Sequence, residues 1–593
     1  MPSRALVSLL ATIVALALAP AADAQSVPAT GPATSTGSGG AAATVDRHAT
    51  EAAIAVLRGG GNAVDAAVTA AAVLGVVEPF SCGIGGGGFM LSYDARKKRS
   101  TTIDHREMAA GAMRPDSFWE NGKPLAFNDA RYSGMSVGVP GTVAGWARAL
   151  ELRGSISLAE ALRPAIEIAR EGFVIDQTFF NQTQDNLAWF DDAPATAALF
   201  LDPDGTPRDV GTVFRNPDLA RTLARIARVG ARGFYRGEVA GAIVATVRRP
   251  PVAPTADHRW RAGVMDRQDL RDYRARLRAR TSVRYRGLDI LGMGPPSSGG
   301  STVGEALNIL EGYPLGTLPR EQAMHLRLEA SRLAFADRGR WVADPSFYRV
   351  PLRGLLSDGF AATRRALIGE TAAKSPVAAG DPRPFDTTTR AAPRPTSATA
   401  ERSGSTTHIS VSDRAGNVVS YTFTIESTGG SGLVVPGYGF LLNNELTDFN
   451  YDSLTHPNRV RPHKRPRSSI SPTIVMRAGR PWLTLGTPGG STIITTVLQL
   501  LTDRIDLGMT LPQAIAAPRT SQRNTATTQA EPAFLATPEA AALQARGHVF
   551  AVAPAPEIGA ANGIEFLDDG NVLAAAEPVR RGGGSAMVVS PAP

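Results

Sequence analysis

Between residues 406 and 425 the sequence alternates twice between small polar and larger apolar side chains. Thr406 to Ser412 places Ile409 and Val411 on one face, residues 413–417 read DRAGN, and Val418 to Ile425 alternates again through Val419, Tyr421, Phe423 and Ile425. Period-two alternation around a Gly/Asn-containing turn specifies an antiparallel hairpin. It also specifies a register: with the turn centred on Ala415, Thr406 and Thr424 stand opposite one another. Cross-strand Cβ atoms lie ~4.5–5.5 Å apart, so two hydroxyls meet at the open end of the hairpin. An ordinary threonine pair on a sheet fits the same description, and a one-residue bulge would separate the two.

Residues 372–405, just upstream, carry Pro376, Pro382, Pro384, Pro393 and Pro395 among Thr, Ser and Arg, with no apolar periodicity. They are predicted to form a long linker. Before it, Thr50 to Leu57 reads as a short amphipathic helix stopped by Gly59-Gly60-Gly61, and Asn62 caps an Ala-rich helix that ends before Pro79. Phe89 to Tyr93 is a predicted strand and Gln322 to Phe335 a helix; after the hairpin come strands 473–476 and 482–485 and a helix from Ser491 to about Leu501. The chain is therefore mixed α/β.

Residues 1–24 have a basic start, an apolar run from Ala5 to Ala19 and an A-x-A ending. That is a secretory signal peptide, short of the ~20 residues of a membrane span. The mature protein is expected to be exported, periplasmic or extracellular, with no membrane span. Residues 25–44, rich in Ser, Gly, Pro and Ala, are predicted to be a flexible leader.

Some chemistries are excluded. A single cysteine, Cys82, allows no intramolecular disulfide. Eight dispersed histidines without H-E-x-x-H or C-x-x-C leave no zinc site of familiar spacing. The net charge of +8 comes from arginines scattered among acids rather than a basic stripe interleaved with aromatics, which argues against nucleic acid.

Four short segments can carry chemistry. Residues 83–88 match G-x-G-x-x-G formally, but a helix precedes and a strand follows, the reverse of a dinucleotide site; the run reads as a tight turn or a glycine wall against a ligand. Pro488-Gly489-Gly490-Ser491 joins a strand to a helix, where amide N–H groups can form an anion or oxyanion site or Ser491 can merely cap. Arg459 to Ser469 (RVRPHKRPRSS) can hold a carboxylate or be a solvated basic loop. Glu445 and Asp448, three apart in NNELTD, can hold an ammonium.

Taken together and in order, GGNAVDAAV (60–68), GIGGGGFML (83–91), DHREMA (104–109), VGVPGTVAGW (137–146), PPSSGG (295–300), STTHISV (405–411), GFLLNNELTDF (439–449), KRPRSSISPTI (464–474) and GTPGGSTIITTVLQ (486–499) resemble a γ-glutamyltransferase (glutathione hydrolase) precursor over essentially the whole chain after the signal peptide. The resemblance implies an N-terminal-nucleophile hydrolase fold, a four-layer αββα sandwich formed by both subunits. It implies a self-cut between Ser405 and Thr406, giving a large subunit (45–405) and a small subunit (406–593) that begins with the nucleophile. Thr406 would attack, Thr424 orient it, and the N–H groups of Gly489 and Gly490 hold the oxyanion. Arg106, Ser468 and Ser469 would bind the α-carboxylate of a γ-glutamyl group, and Glu445 and Asp448 its α-ammonium.

Substrates would be glutathione and other γ-glutamyl compounds, with water, amino acids or peptides as acceptors and no metal or organic cofactor. The chemistry agrees with the residues, because a freed N-terminal amine is a base for its own hydroxyl. The family usually has Asn where this chain has Glu426, and the segment between Phe449 and Lys464 is short. Glu426 can strengthen ammonium binding or mark an acyl pocket like that of the related cephalosporin and glutaryl acylases. A secreted, non-enzymatic binding protein is the reading from another class.

Overall fold

The computed structural model describes residues 32–386, 405–553 and 557–592; the signal-peptide reading of residues 1–24 falls outside them. Thirteen strands make one antiparallel ladder. In spatial order they are Arg276–Leu277, Arg99–Asp104, Gly87–Asp94, Val418–Thr424, Thr407–Asp413, Thr34–Thr44, Val572–Ala576, Asn562–Phe566, Arg480–Gly486, Thr473–Arg477, Leu288–Gly292 and Thr281–Tyr285, with Ser585–Pro591 also pairing Thr34–Thr44. The ladder curls so that its halves face each other: Ser420 on one layer donates to the Leu485 carbonyl of the other at 3.3 Å and accepts from the Thr473 amide at 3.0 Å. Helices cover both outer faces, which makes the four-layer αββα sandwich.

One helical layer is led by Ala63–Val77, whose alanines are buried on almost every side against Leu158–Glu171 and Thr142–Arg153. Asn62 caps it, its Oδ1 accepting from the Val64 and Asp65 amides at 2.8 and 3.2 Å, while Asp65 returns the bond to the Asn62 amide at 2.9 Å. Such a reciprocal box satisfies two amides that a helix start otherwise leaves orphaned. The other layer is Gly299–Leu310, Arg320–Trp341 and Thr492–Ile505, packed on Ile290, Val475, Leu483 and Leu485.

The predicted leader is wrong from residue 34 onward. Thr34–Thr44 is an inner strand: residues 40–43 pair with Thr407–Asp413, residues 34–37 with Val572–Ala576, and Ser585–Pro591 also pairs along it. Small residues are what this position requires: Ala41, Ala42 and Ala43 are fully buried, and a Cβ on Gly40 would lie 2.7 Å from the Ser412 carbonyl oxygen. The first half of the predicted linker is also tied down. Val377 exchanges hydrogen bonds with Asn524 at 2.7 and 3.0 Å, and Trp341 donates to the Gly380 carbonyl at 2.9 Å. Its remainder, residues 387–404, lies outside the described residues.

Candidate active site

The hairpin forms Thr407–Asp413 and Val418–Thr424, with Thr407 opposite Phe423 and Ser410 opposite Ser420. No bulge interrupts that register, so Thr406 and Thr424 meet, their Oγ1 atoms 3.2 Å apart. Thr424 Oγ1 donates to the Ser405 carbonyl at 2.6 Å and accepts from the Glu426 amide at 2.8 Å. Thr406 Oγ1 itself lies 2.5 Å from that carbonyl oxygen. In the uncut chain the Ser405–Thr406 peptide thus has a hydroxyl beside it and a second hydroxyl polarising its C=O. The glycine run before the hairpin's neighbour strand presses on protein rather than on a ligand: a Cβ on Gly86 would overlap the Thr424 carbonyl oxygen at 1.9 Å.

Thr406 and Thr424 open onto a cavity of about 310 Å³ whose lining also includes Arg106, Glu426, Glu445, Asp448, Ser468, Ser469 and Gly490. Gly489 is not among the lining residues. Gly489 and Gly490 both have positive φ, at 130° and 57°, conformations that suit glycine. Ser491 makes no helix-capping bond; its Oγ accepts from Arg523 instead.

Glu445 and Asp448 sit on a single 3₁₀ turn. Asn443 fixes that turn, donating to the Gly85 and Gly138 carbonyls at 2.7 and 2.9 Å and accepting from the Glu445 amide at 3.0 Å. Both carboxylates bind the Arg106 guanidinium, which also donates to the Arg467 carbonyl at 3.2 Å. Arg106 is therefore not an open fork but the centre of an ion cluster. Glu445 is buried, whereas the Asp448 side chain is 35% exposed.

Three carboxylates, Glu445, Asp448 and Glu107, act on this one arginine, and a fourth, Glu426, acts on Glu445 and is acted on by Asp448. Burial opposes the Arg106 charge, but Glu445 and then Asp448 hold its proton more tightly than usual. Burial, and next the Asp448 carboxylate, push Glu426 up to about 7; burial likewise lifts Glu107 to about 7. Glu426 has φ of 80°, an unusual conformation for a side chain larger than Asn. Its carboxylate accepts from Ser427 Oγ at 2.5 Å and from the Asn444 amide group.

Only the first part of the basic loop is solvated: residues 461–463 are exposed, whereas Lys464, Arg465 and Arg467 are all buried. Arg465 pairs with Asp104 and donates to the Arg274 carbonyl at 2.7 Å; Arg467 donates to the Gly339 carbonyl at 3.3 Å. Segment 295–300 braces the loop, with the Ser298 amide donating to the Ser468 carbonyl at 2.8 Å. Two basic lining residues were not singled out from the sequence. Arg338 donates to Ser469 Oγ at 2.8 Å and Ser298 Oγ at 2.6 Å, but on the sequence it is one of several arginines on a long helix. Arg467 stands in the basic motif, where nothing separates it from its neighbours. Among the described residues no group of three or more His, Cys, Asp or Glu side chains is arranged to hold a metal ion.

A threonine pair, an acidic group and an Arg/Ser group thus share one cavity. The chain matches the family model described as gamma-glutamyltranspeptidase over residues 49–587. It is 39% identical over 489 residues to the glutathione hydrolase proenzyme of Bacillus subtilis strain 168, covering 82% of this chain and 80% of that protein. It is 36% identical over 555 residues to the acylase ACY 1 proenzyme of Pseudomonas sp. strain V22, covering 91% and 92%. The crystal structure of cephalosporin acylase from Bacillus halodurans superimposes with a TM-score of 0.81 at 29% identity, covering 93% of this chain and 96% of that one.

Proposed function

Because the chain belongs to the gamma-glutamyltranspeptidase family, we propose that it is a self-cleaving glutathione hydrolase and γ-glutamyltransferase with Thr406 as nucleophile. The observation that carries this is the convergence of Thr406, Thr424 and the acidic cluster of Glu426, Glu445 and Asp448 on one cavity. In maturation Thr406 Oγ1 attacks the Ser405 carbonyl carbon, its proton passes to the departing amide nitrogen, and water hydrolyses the resulting ester. The products are a Ser405 carboxylate and a Thr406 bearing a free hydroxyl and a free α-amine. That amine, with an ordinary pKa of ~7.7–8.0, is the base for the hydroxyl in turnover.

The acyl donor is held by its α-ammonium on Glu445, Asp448 and Glu426 and by its α-carboxylate on Arg106, Ser468 and Ser469. Asp448 is the exchangeable member: partly exposed, it leaves Arg106 for the ammonium while the substrate carboxylate takes its place. The Gly490 and Gly489 amides receive the oxyanion. Water releases glutamate; an amino acid or peptide amine instead yields a new γ-glutamyl compound. Export, to a periplasm or outside the cell, belongs to the same proposal and rests on residues 1–24; among the described residues no helix is long and apolar enough to cross a membrane.

A glutaryl or cephalosporin acylase is the second reading, favoured by the greater share of the chain matched by the acylase relative and by Glu426. Two anilides separate the readings, since glutaryl anilide is γ-glutamyl anilide without its amine. A site built for a polar group rejects the analogue that lacks it, and a partly wet pocket softens the penalty. We expect kcat/KM to favour the γ-glutamyl anilide by at least ~10²-fold, about 2.7 kcal/mol. Equal rates, or faster glutaryl cleavage, would establish the acylase reading.

The same acidic group predicts a pH dependence. Glu426 is charged above about 7 and neutral below it, so the attraction for the donor ammonium weakens as pH falls through that value. KM for the γ-glutamyl anilide should rise on acidification, and Glu426→Asn should flatten that rise. An unchanged profile in the variant would remove Glu426 from the ammonium site.

A further inference from the structure

A second cluster, distinct from the cavity lining, meets the Ser405–Thr406 bond. Ser405 Oγ donates to Ser81 Oγ at 2.9 Å, and Arg581 Nη1 donates to the Thr406 carbonyl at 2.8 Å. Arg581 Nη2 donates to Ser81 Oγ at 2.5 Å and to Glu78 Oε2 at 3.2 Å, and Ser81 Oγ donates to Glu78 Oε2 at 3.1 Å. The hydroxyl of Ser81 is fully used, accepting twice and donating once. Both residues of the peptide bond are thus anchored, one through Ser81 and one through Arg581, and both anchors end on one carboxylate.

The backbone supports the same assignment. Arg581 has φ of 56°, a left-handed conformation that a residue with a Cβ holds only where its surroundings impose it. Its amide donates to Glu557 Oε2 at 2.7 Å, which aims the side chain back across the fold at residues 78, 81 and 406. Nothing in the turnover chemistry derived above employs Glu78, Ser81 or Arg581.

We propose that Glu78 is a positioning residue for self-cleavage, holding Ser405 through Ser81 and Thr406 through Arg581 so that the Thr406 hydroxyl faces the Ser405 carbonyl carbon. This rests on the self-cleavage reading above. No bond forms to Glu78; it fixes the peptide while Thr406 Oγ1 bonds to the carbonyl carbon, the C–N bond breaks and the hydroxyl proton goes to that nitrogen. An intramolecular attack of this kind is sensitive to placement, because a shift of ~1 Å can cost ~10²-fold.

The charge on Glu78 is labile. Burial pushes its carboxyl up to about 7, against the pull of Arg581 and with the help of Asp176 and Asp46, which face it from the starts of two other helices; the Cys82 thiol, buried beside it, is raised as well. Above about 7 the carboxylate grips Arg581 and accepts from Ser81. Below it the protonated group loses the ion pair, so self-cleavage should slow as the pH falls through 7.

The test follows the full-length chain, freshly translated in vitro, between pH 5 and 9, measuring the fragment that begins at Thr406. In the wild type we expect a cleavage rate that climbs with pH around a midpoint near 7. Glu78→Gln should slow cutting about 10- to 100-fold and abolish that midpoint, and Glu78→Asp should restore part of both. Ser81→Ala, which keeps the Glu78–Arg581 pair, should also slow cutting; it decides the matter if the Gln variant does not fold. A wild type that cuts at Thr406 alongside variants with the same rate and midpoint overturns the role of Glu78. A wild type that never cuts at Thr406 overturns the self-cleavage reading instead.

Discussion

Thr406→Ala is expected to remain a single chain and to release no product from a γ-glutamyl anilide. The substitution removes the proposed attacking hydroxyl, and Thr424 cannot replace it, because its own hydroxyl is committed to the Ser405 carbonyl at 2.6 Å. It also prevents the cut that would free an α-amine, so base and nucleophile vanish together. The loss of kcat/KM should reach ~10³-fold or more, the scale of removing a group on which the covalent route depends. The fold should survive, since Thr424 still braces the peptide bond and the change is small. Gel electrophoresis with N-terminal sequencing of any small fragment, beside the activity assay, gives the answer. Normal splitting of the alanine variant would sink the nucleophile assignment, whereas Thr406→Ser, which keeps a hydroxyl, should still cut.

Arg106→Met should be the most destabilising single change at the site. Arg106 and Glu445 are both 1% exposed, and the guanidinium is the partner of Glu445 and Asp448 together. Removing one side of a buried ion pair strands the other, at a cost of about 3–5 kcal/mol. Carboxyls whose folded pKa is raised, here Glu107 and Glu426 at about 7, withdraw stability as pH rises above their ordinary values. The deficit should therefore be largest at alkaline pH and shrink on acidification, read as the denaturation midpoint of variant against wild type. Arg106→Lys keeps a charge but offers a point donor in place of a fork, so it should lose less stability while still impairing the γ-glutamyl donor. An Arg106→Met protein as stable as wild type at pH 8 would mean that the cluster is not charged as described.

The hairpin register was legible because alternation and turn chemistry are local: Ala415 as centre was enough to place Thr406 against Thr424. The Asn62 cap was legible for the same reason. The strand Thr34–Thr44 was not, because its three partner strands lie hundreds of residues downstream, and Gly and Ala chosen for close packing look like Gly and Ala chosen for flexibility. The burial of Lys464, Arg465 and Arg467 in the Arg459 to Ser469 loop was hidden for a related reason. A run of basic residues reads as solvated until Asp104 and the carbonyls of Arg274 and Gly339 arrive from elsewhere to bury it. The engagement of Arg106 by Glu445 and Asp448 was hidden because sequence shows a residue's type and not its partners. Glu78, Ser81 and Arg581 come together only when residues some 500 apart in sequence meet.

The strand order has a consequence for the molecule that the proposed cut would leave. Walking across the ladder, residues 87–94 precede the cut, 418–424 and 407–413 follow it, 34–44 precede it, 572–576 through 473–477 follow it, and 288–292 precede it again. The two proposed products are woven through one another at five seams of backbone hydrogen bonds, the fifth being Ser585–Pro591 against Thr34–Thr44. They cannot part as folded subunits, for there is no single surface along which to separate. Dissociation of the two pieces is then the same event as unfolding, so mass action should make the melting temperature rise with concentration, and the pieces expressed separately should fail to assemble unless they fold together.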